Sequence, residues 1–506
     1  MQKQSYLDYK PVQLSLPVRT EHLIDKHDPV VSFLEVVGGL NLKKFIKTSR
    51  KGRQQYDPEM ILRIILFGYM QKKFSLRELE EACKVDIRFM YLADNQTPSF
   101  MVFQRFIQDK LTKNLPDIFY EINEFLIQKE KIDTTSLYVD GTKIEANANK
   151  FSFVWKKAVL NYQAQLFIKI TKELNQVNKL LNRTFEIKEQ YDSLDLSEPI
   201  VGLLSTIDRI GVQFVEGKGS RKTSYQRLYE KLVEFQLKCR EYEVKLFICG
   251  TRNSYSKVDH DATFMHGKED YYNKTGIFKA YYNIQIGVSD EYILHYGVYP
   301  NPTDTKTFIP LMDSYYERYQ EYPKIPVADA GYGSYDNYLY CVSHQMTLMM
   351  KYNMYKKEKE KQFLKNEFKI KNMSHEHKRL ISTSGEIYHY SHDYTSHQGV
   401  YPQIKEVYLH QPTEHSPSTC PKRITRDIVL LELQEEAKKN LESEEGIDCR
   451  VQRSIQVEGA FGDIKHNCEY TRFHRRGKKN IETEFLLISI GYNLRKYHSK
   501  KLQKLN

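Results

Sequence analysis

Three acidic residues, widely separated along the 506-residue chain, stand where side chains do chemistry. Asp140 closes the apolar run Leu137-Tyr138-Val139 and is followed by Gly141. Asp329 closes Ile325-Pro326-Val327-Ala328 and is followed by the glycine-rich Ala330-Gly331-Tyr332-Gly333. Glu458 lies in a late helical stretch beside Gly459 and Ala460, small neighbours that permit close approach. Carboxylate oxygens are the natural ligands of Mg2+ or Mn2+. Two such ions ~3.5–4 Å apart activate an attacking oxygen and stabilise a leaving one at a phosphodiester. Lys465, seven positions after Glu458, falls two α-helical turns along the same face and can hold a phosphate as a compact charge. Arg453 sits just upstream, and Arg475, Arg476, Lys478 and Lys479 crowd the following turn, a set suited to neutralising phosphates. Acids alone would repel a polyanion; acids holding two divalent ions would anchor one.

Blander readings stand beside each. Asp140 can be a turn residue, since Asp-Gly is a common turn pair, but its place after Leu-Tyr-Val favours a site. Asp304, in Asn301-Pro302-Thr303-Asp304, rivals Asp329 yet is also placed to cap a helix. Asp329 is preferred because a buried-type strand precedes it and a glycine loop follows. Glu145, Asp259 and Asp261 are read as structural or solvated, and Glu458 must be weighed against an ordinary exposed helix acid.

The elements that must position these residues follow from apolar spacing. Residues 1–130 read as a helical N-terminal domain. Met60, Ile61, Ile64, Ile65 and Gly68 share one helical face behind Pro58; Ser75 and Glu78 form a capping box; and a third helix enters through Thr97-Pro98-Ser99. This layout suits a helix-turn-helix DNA-binding domain and an ordinary helical bundle equally, with Arg77, Arg88 and Arg105 as basic candidates for DNA contact. Residues 151–269 read as a helical insertion, two amphipathic segments around Glu216-Gly-Lys-Gly-Ser-Arg-Lys-Thr-Ser224. Residues 351–425 form a second, Lys/His/Tyr-rich insertion with some strand content. What remains, 131–150, 270–350 and 426–506, runs strand, strand, strand, helix, strand, helix, strand, helix. That is the order of a ribonuclease-H-like α/β core, a mixed sheet flanked by helices. In such a sheet the first and fourth strands are central neighbours, so Asp140 and Asp329 would meet in one crevice with Glu458 laid across it.

These stretches resemble the DDE-class transposases of bacterial insertion sequences, in the branch with a helical N-terminal domain. The matching segments are Tyr56–Cys83, Tyr138–Lys150, Tyr282–Val288 with Asn301–Thr305, Val327–Ser334, and Val457–Asn467 with the Arg475-Arg476-Gly477 turn, and they span most of the chain. The resemblance implies metal-ligating catalytic roles for Asp140, Asp329 and Glu458, two Mg2+ or Mn2+ ions, and binding of double-stranded element ends by a homodimer. It also implies hydrolytic release of those ends and their joining to target DNA. A catalytically silent DNA-binding derivative and a ribonuclease-H-like nuclease or resolvase are the alternatives. Relatives carry a Tyr and an Arg seven and four residues before the catalytic Glu. Here those positions are Val451 and Ser454, with Arg453 displaced by one, while Lys465 matches. Relatives also carry clustered cysteines before the last helix. Here Cys420 stands with His389, His392, His397, His410 and His415, read as surface histidines on a solvated loop rather than a zinc site.

Bulk properties agree in direction. Hydrophobic content of 40% and aromatic content of 13% exclude a disordered chain, and two to four structural units are expected. A net charge of +11 favours polyanionic partners. The seven cysteines are odd in number and never fall in a C-x-x-C pair, as expected of thiols in a reducing compartment. No window approaches the ~18 apolar residues of a membrane helix, and the N-terminus lacks a signal-type run, so a cytoplasmic protein that touches no membrane is expected.

Overall fold

The computed structural model describes residues 24–45, 56–216, 221–267, 276–412 and 420–505; His415 and part of the 216–224 linker lie outside them. The chain divides into two compact units, Met1–Asp133 with Asp290–Leu294 and Thr483–Asn506, and Thr134–Ser289 with His295–Glu482. Among the described residues no helix is long and apolar enough to cross a membrane.

The first unit is helical: α1 (Pro29–Gly38), α2 (Pro58–Met70), α3 (Leu76–Val85), α4 (Ile87–Leu92), α5 (Phe100–Phe106) and α6 (Thr112–Glu130), joined by the end of the C-terminal helix Lys478–Gln503. Pro58 occupies the first turn of α2, where its missing N–H costs nothing, and the Asp57 carboxylate caps it from Glu59 N–H. At the head of α3 Glu78 accepts from Ser75 N–H at 3.2 Å. The spacing of α2 predicts one buried face; the helix is instead buried nearly all round, Leu62, Leu66 and Phe67 included. It is the central helix of its bundle, with α1, α3, α4 and α5 all packed on it.

The second unit is built on one mixed sheet. Its strands are β1 (Ser136–Glu145), β4 (Thr263–His266), β5 (Phe278–Ser289), β6 (Tyr292–Tyr299), β7 (Ile325–Gly333) and β8 (Met349–Tyr352). The order is β4-β5-β1-β7-β8, with β6 also on β5. Apart from β4, the strands stand third, second, first, fourth, fifth in chain order, the ribonuclease-H-like arrangement. β1 is antiparallel to β5 and parallel to β7. Between β1 and β5 the chain leaves through β2 (Phe153–Trp155) and returns through β3 (Ser254–Ser256), which pair with each other. Beyond that pair three helices, α7 (Lys156–Leu181), α8 (Ser197–Ile210) and α9 (Ser224–Cys249), bury Ile170, Leu174, Val177, Leu203 and Leu232 in a core of their own. The spacing predicts only α7 and α9; α8 is a third helix packed on both. After β8, where no clear period is visible in the sequence, a five-stranded antiparallel sheet forms, in the order β13-β12-β11-β10-β9. Its strands are β9 (Ser374–Glu376), β10 (Arg379–Ile381), β11 (Ile387–Ser396), β12 (Gln403–His410) and β13 (Arg423–Arg426).

Candidate active site

Asp140 and Asp329 lie inside strands rather than at strand ends. β1 continues through Gly141 to Glu145 because β5 goes on pairing with it, Gly141 opposite Gln285 and Glu145 opposite Tyr281. The parallel ladder between β1 and β7 runs from Ser136–Ile325 to Tyr138–Val327. Two residues beyond its last pair come Asp140 and Asp329, on these neighbouring strands just past the end of the ladder. β7 then bulges: between Ala328 and Gly333 it advances five residues while β8 advances from Met350 to Tyr352. The bulge re-aims Asp329, whose Oδ1 accepts from Gly331 N–H at 2.8 Å. Asp140 is buried, and its Oδ1 accepts from Gly141 N–H at 2.7 Å.

Glu458 comes from a helix laid over these strands. Ser443 caps the segment Glu444–Arg453 by accepting from Gly446 N–H. The next five residues, Ser454–Glu458, form a π-helical turn. In such a turn the backbone bond spans five residues, so residues five apart share a face as residues four apart do in an α-helix. Arg453 and Glu458 therefore point the same way. The Arg453 guanidinium lies 3.5 Å from Asp140 Oδ2 and 3.6 Å from Glu458 Oε1, with its own side chain 13% exposed against 63% for Glu458. Expected to contact DNA, Arg453 instead bridges two of the three candidate carboxylates. Its Nη1 is buried without a hydrogen-bond partner.

Asp304 sits beside Gly141 and close to Asp329: the point a Cβ at Gly331 would occupy is 3.0 Å from Asp329 Oδ1 and 3.6 Å from Asp304 Oδ2. Asp304 Oδ1 accepts from Asn283 Nδ2 (2.8 Å) and Gln285 Nε2 (3.0 Å). A Cβ at Gly141 would meet the Gln285 amide at 2.1 Å and Asp304 Oδ1 at 2.9 Å, so only glycine lets these groups close over β1. Tyr332 donates to Gln285 Oε1 and completes the network. Burial, then the charges of Asp140, Asp304 and Asp329, push the Tyr332 hydroxyl well above its usual range, with Arg453 opposing. Spacing in the sequence gives no hint of Lys351 on β8. Burial, with Arg453, Lys356 and Arg450, holds its ammonium below the usual range, and Asp329 acts the other way.

The remaining basic residues are docked on the sheet. Lys465 Nζ donates to the Lys143 carbonyl at 3.1 Å. A second π turn, Asp463–Asn467, breaks the simple two-turn count from Glu458. Arg476 Nε donates to the Asn147 carbonyl, and the Gly477 and Lys478 N–H groups donate to Asp259 and Asp261, which give that turn its shape. Arg475 is half-buried, while Arg476, Lys478 and Lys479 are exposed. Glu145 pairs with Lys279 at 3.1 Å.

Two sets of donor side chains bear on metal binding. Asp140, Asp329 and Glu458 supply oxygens alone, the donor type of hard divalent ions, and two of them, Asp140 and Glu458, draw the Arg453 cation; the three do not meet mutually within 4.8 Å. Among the described residues the group that does is Glu386, His410 and Cys420. The solvated-loop reading thus fails for His410, which ends β12 half-buried, and for His389 and His392, which lie on β11; it holds for the exposed His397.

Residues 415–498, which include Arg453, Glu458 and Lys465, match a family described as transposase DDE domain, and residues 18–109 match one described as transposase domain. No curated protein and no solved structure matches the chain.

Proposed function

We propose that this chain is an insertion-sequence DDE transposase, a reading its two family matches support, and that Asp140, Asp329 and Glu458 are the residues with which it cuts element ends and joins them to target DNA. The observation that carries this reading is that Asp140 and Asp329 each follow, by two residues, the last paired rung of the adjacent parallel strands β1 and β7, with Glu458 tied to Asp140 through Arg453. Asp140, Asp329 and Glu458 would hold two Mg2+ or Mn2+ ions, which when bound supply a deprotonated attacking oxygen and charge neutralisation at phosphorus.

The chain's own groups do the rest. The buried Asp140 is fixed by β1 and its neighbours, so it needs little reorganisation when DNA arrives. Glu458, the most exposed of the three, is free to follow the scissile phosphate. Lys351 and Lys465 supply positive charge on either flank, and the exposed Arg476, Lys478 and Lys479 hold the DNA backbone, with Arg475 beside them. Binding of two element ends by a homodimer completes the proposal.

Asp140→Asn, Asp329→Asn and Glu458→Gln, assayed separately on a DNA end with Mg2+, should each lower cleavage by a thousandfold or so while end binding persists. Undiminished cleavage in any one removes that residue from the site. Cleavage without joining in the unaltered protein would favour a nuclease.

A further inference from the structure

We propose that Glu386, His410 and Cys420 form a second, chemically distinct metal site that takes Zn2+ and fastens one end of the five-stranded sheet β9–β13. Their ligand atoms lie within 4.8 Å of one another. On a zinc tetrahedron such atoms stand about 3.3–3.8 Å apart, so a small closing movement suffices.

Each ligand is aimed by its backbone. Glu386 ends the tight turn between β10 and β11, where Ser382 N–H donates to the Glu386 carbonyl (2.9 Å) and Ser382 Oγ accepts from Glu386 N–H (3.0 Å). Gly385 in that turn has φ +90°, which favours glycine. His410 ends β12 in register with Tyr388; their rings lie 4.8 Å apart, and its N–H donates to the Lys422 carbonyl. Cys420 stands two residues before Lys422, in the segment that leads into β13 beside His410. The β10–β11 turn, the end of β12 and the approach to β13 thus converge at one corner of the sheet.

The chemistry selects the ion. A carboxylate, an imidazole nitrogen and a thiolate make a mixed O/N/S set suited to zinc and poorly suited to Mg2+. Their charges, −1, 0 and −1, balance a divalent cation. His410 Nε2 and Glu386 Oε2 are 2.7 Å apart, with side chains only 8% and 12% exposed. The metal would replace that contact, displacing the proton of the Cys420 thiol to solvent, and water would complete the fourth position. The sheet has a use for such a crosslink: its core is only Leu380, Tyr388, Tyr408 and Ile424, with a few half-buried neighbours. Of the other cysteines, Cys83, Cys239, Cys249, Cys341 and Cys449 are buried and Cys468 lies beside Asp463.

The test is titration of the tag-free, full-length, metal-stripped protein with Co2+, read by thiolate-to-metal charge-transfer absorption, then displacement by Zn2+. One equivalent should give the band. Cys420→Ser should abolish it, and His410→Asn should weaken binding roughly tenfold or more. Cys468→Ser and Asp140→Asn should leave it intact, separating this site from the proposed catalytic one. Circular dichroism checks that each variant is folded. If Cys420→Ser misfolds, the His410→Asn affinity decides. No band in the unaltered protein, a band surviving Cys420→Ser, or undiminished affinity in His410→Asn overturns the proposal.

Discussion

Arg453 holds a position that metal ions would contest. Its guanidinium contacts Asp140 and Glu458 at once, which a compact ammonium cannot do. Replacing it by methionine keeps bulk but leaves two carboxylates without that counter-charge, so divalent cations should bind more readily. We expect the half-maximal Mn2+ concentration for end cleavage to fall about fivefold in Arg453→Met, the equivalent of ~1 kcal/mol. The maximal rate should fall too, because the arginine also neutralises the incoming phosphate. An unchanged Mn2+ midpoint would show that Arg453 does not compete with metal. The carboxylates themselves can be named from the chain alone, since apolar runs ending in Asp before glycine are local features. Arg453's partners and Lys351 cannot, because both depend on which strands become neighbours. Asp304 is visible as a rival, but its hydrogen bonds to Asn283 and Gln285 follow only from the folding of β5 beside β1.

At the scale of elements, the π turn Ser454–Glu458 puts Arg453 and Glu458 on one face although they are five residues apart. Deleting the exposed Ile455 should convert the turn to α-helix and keep the pair together at the spacing of four, so cleavage should stay near the wild-type level. Inserting one alanine after Ile455 should rotate Arg453 away and lower cleavage at least tenfold. Equal loss in both variants would mean that the turn itself, not the shared face, matters. Helix is legible here from composition, but a π turn is not, since one added residue leaves the apolar pattern almost unchanged. β1 and β7 are legible as strands but not in length: the glycines that suggest turns are overridden by pairing with β5 and β8. The small sheet stays hidden for another reason. β11 carries Tyr, His and Ser on both faces and shifts register between Tyr390 and His392, so no period of two survives.

At the scale of the whole molecule, the first unit is assembled from three separate stretches of chain. Asn493 Nδ2 donates to Asn123 Oδ1 and to the Ile293 carbonyl, and Ile293 N–H donates back to Asn493 Oδ1, so all three stretches meet in one buried network. Glu35 ties α1 to α6 through Lys129 (2.8 Å) and to the C-terminal helix through Lys501 (2.7 Å). Hydrogen bonds from Lys129 and then Lys501 hold the Glu35 carboxyl at about 2, against 4.5 for the unperturbed group. Below pH 4.5 the unfolded chain takes up this proton first, so the contribution is complete above 4.5 and disappears as pH falls toward 2. Glu35→Gln should therefore lower the unfolding free energy read from urea melts at neutral pH, by no more than ~1 kcal/mol for a side chain 31% exposed. The difference from the parent should close between pH 4.5 and 2; a gap that does not change with pH would rule out this assignment.

The short β2–β3 ladder bears on how such a chain finds its shape. Glu145 and Lys279 are 134 positions apart, and closing a loop of that span is slow when the intervening chain is random. The α7–α9 bundle has a core of its own, closed over spans shorter than that of the central sheet, and can collapse first, and the β2–β3 clasp then holds its two ends side by side. From that moment β1 and β5 approach each other almost as the arms of a hairpin would. Severing the clasp should slow refolding of the central sheet far more than it lowers its final stability.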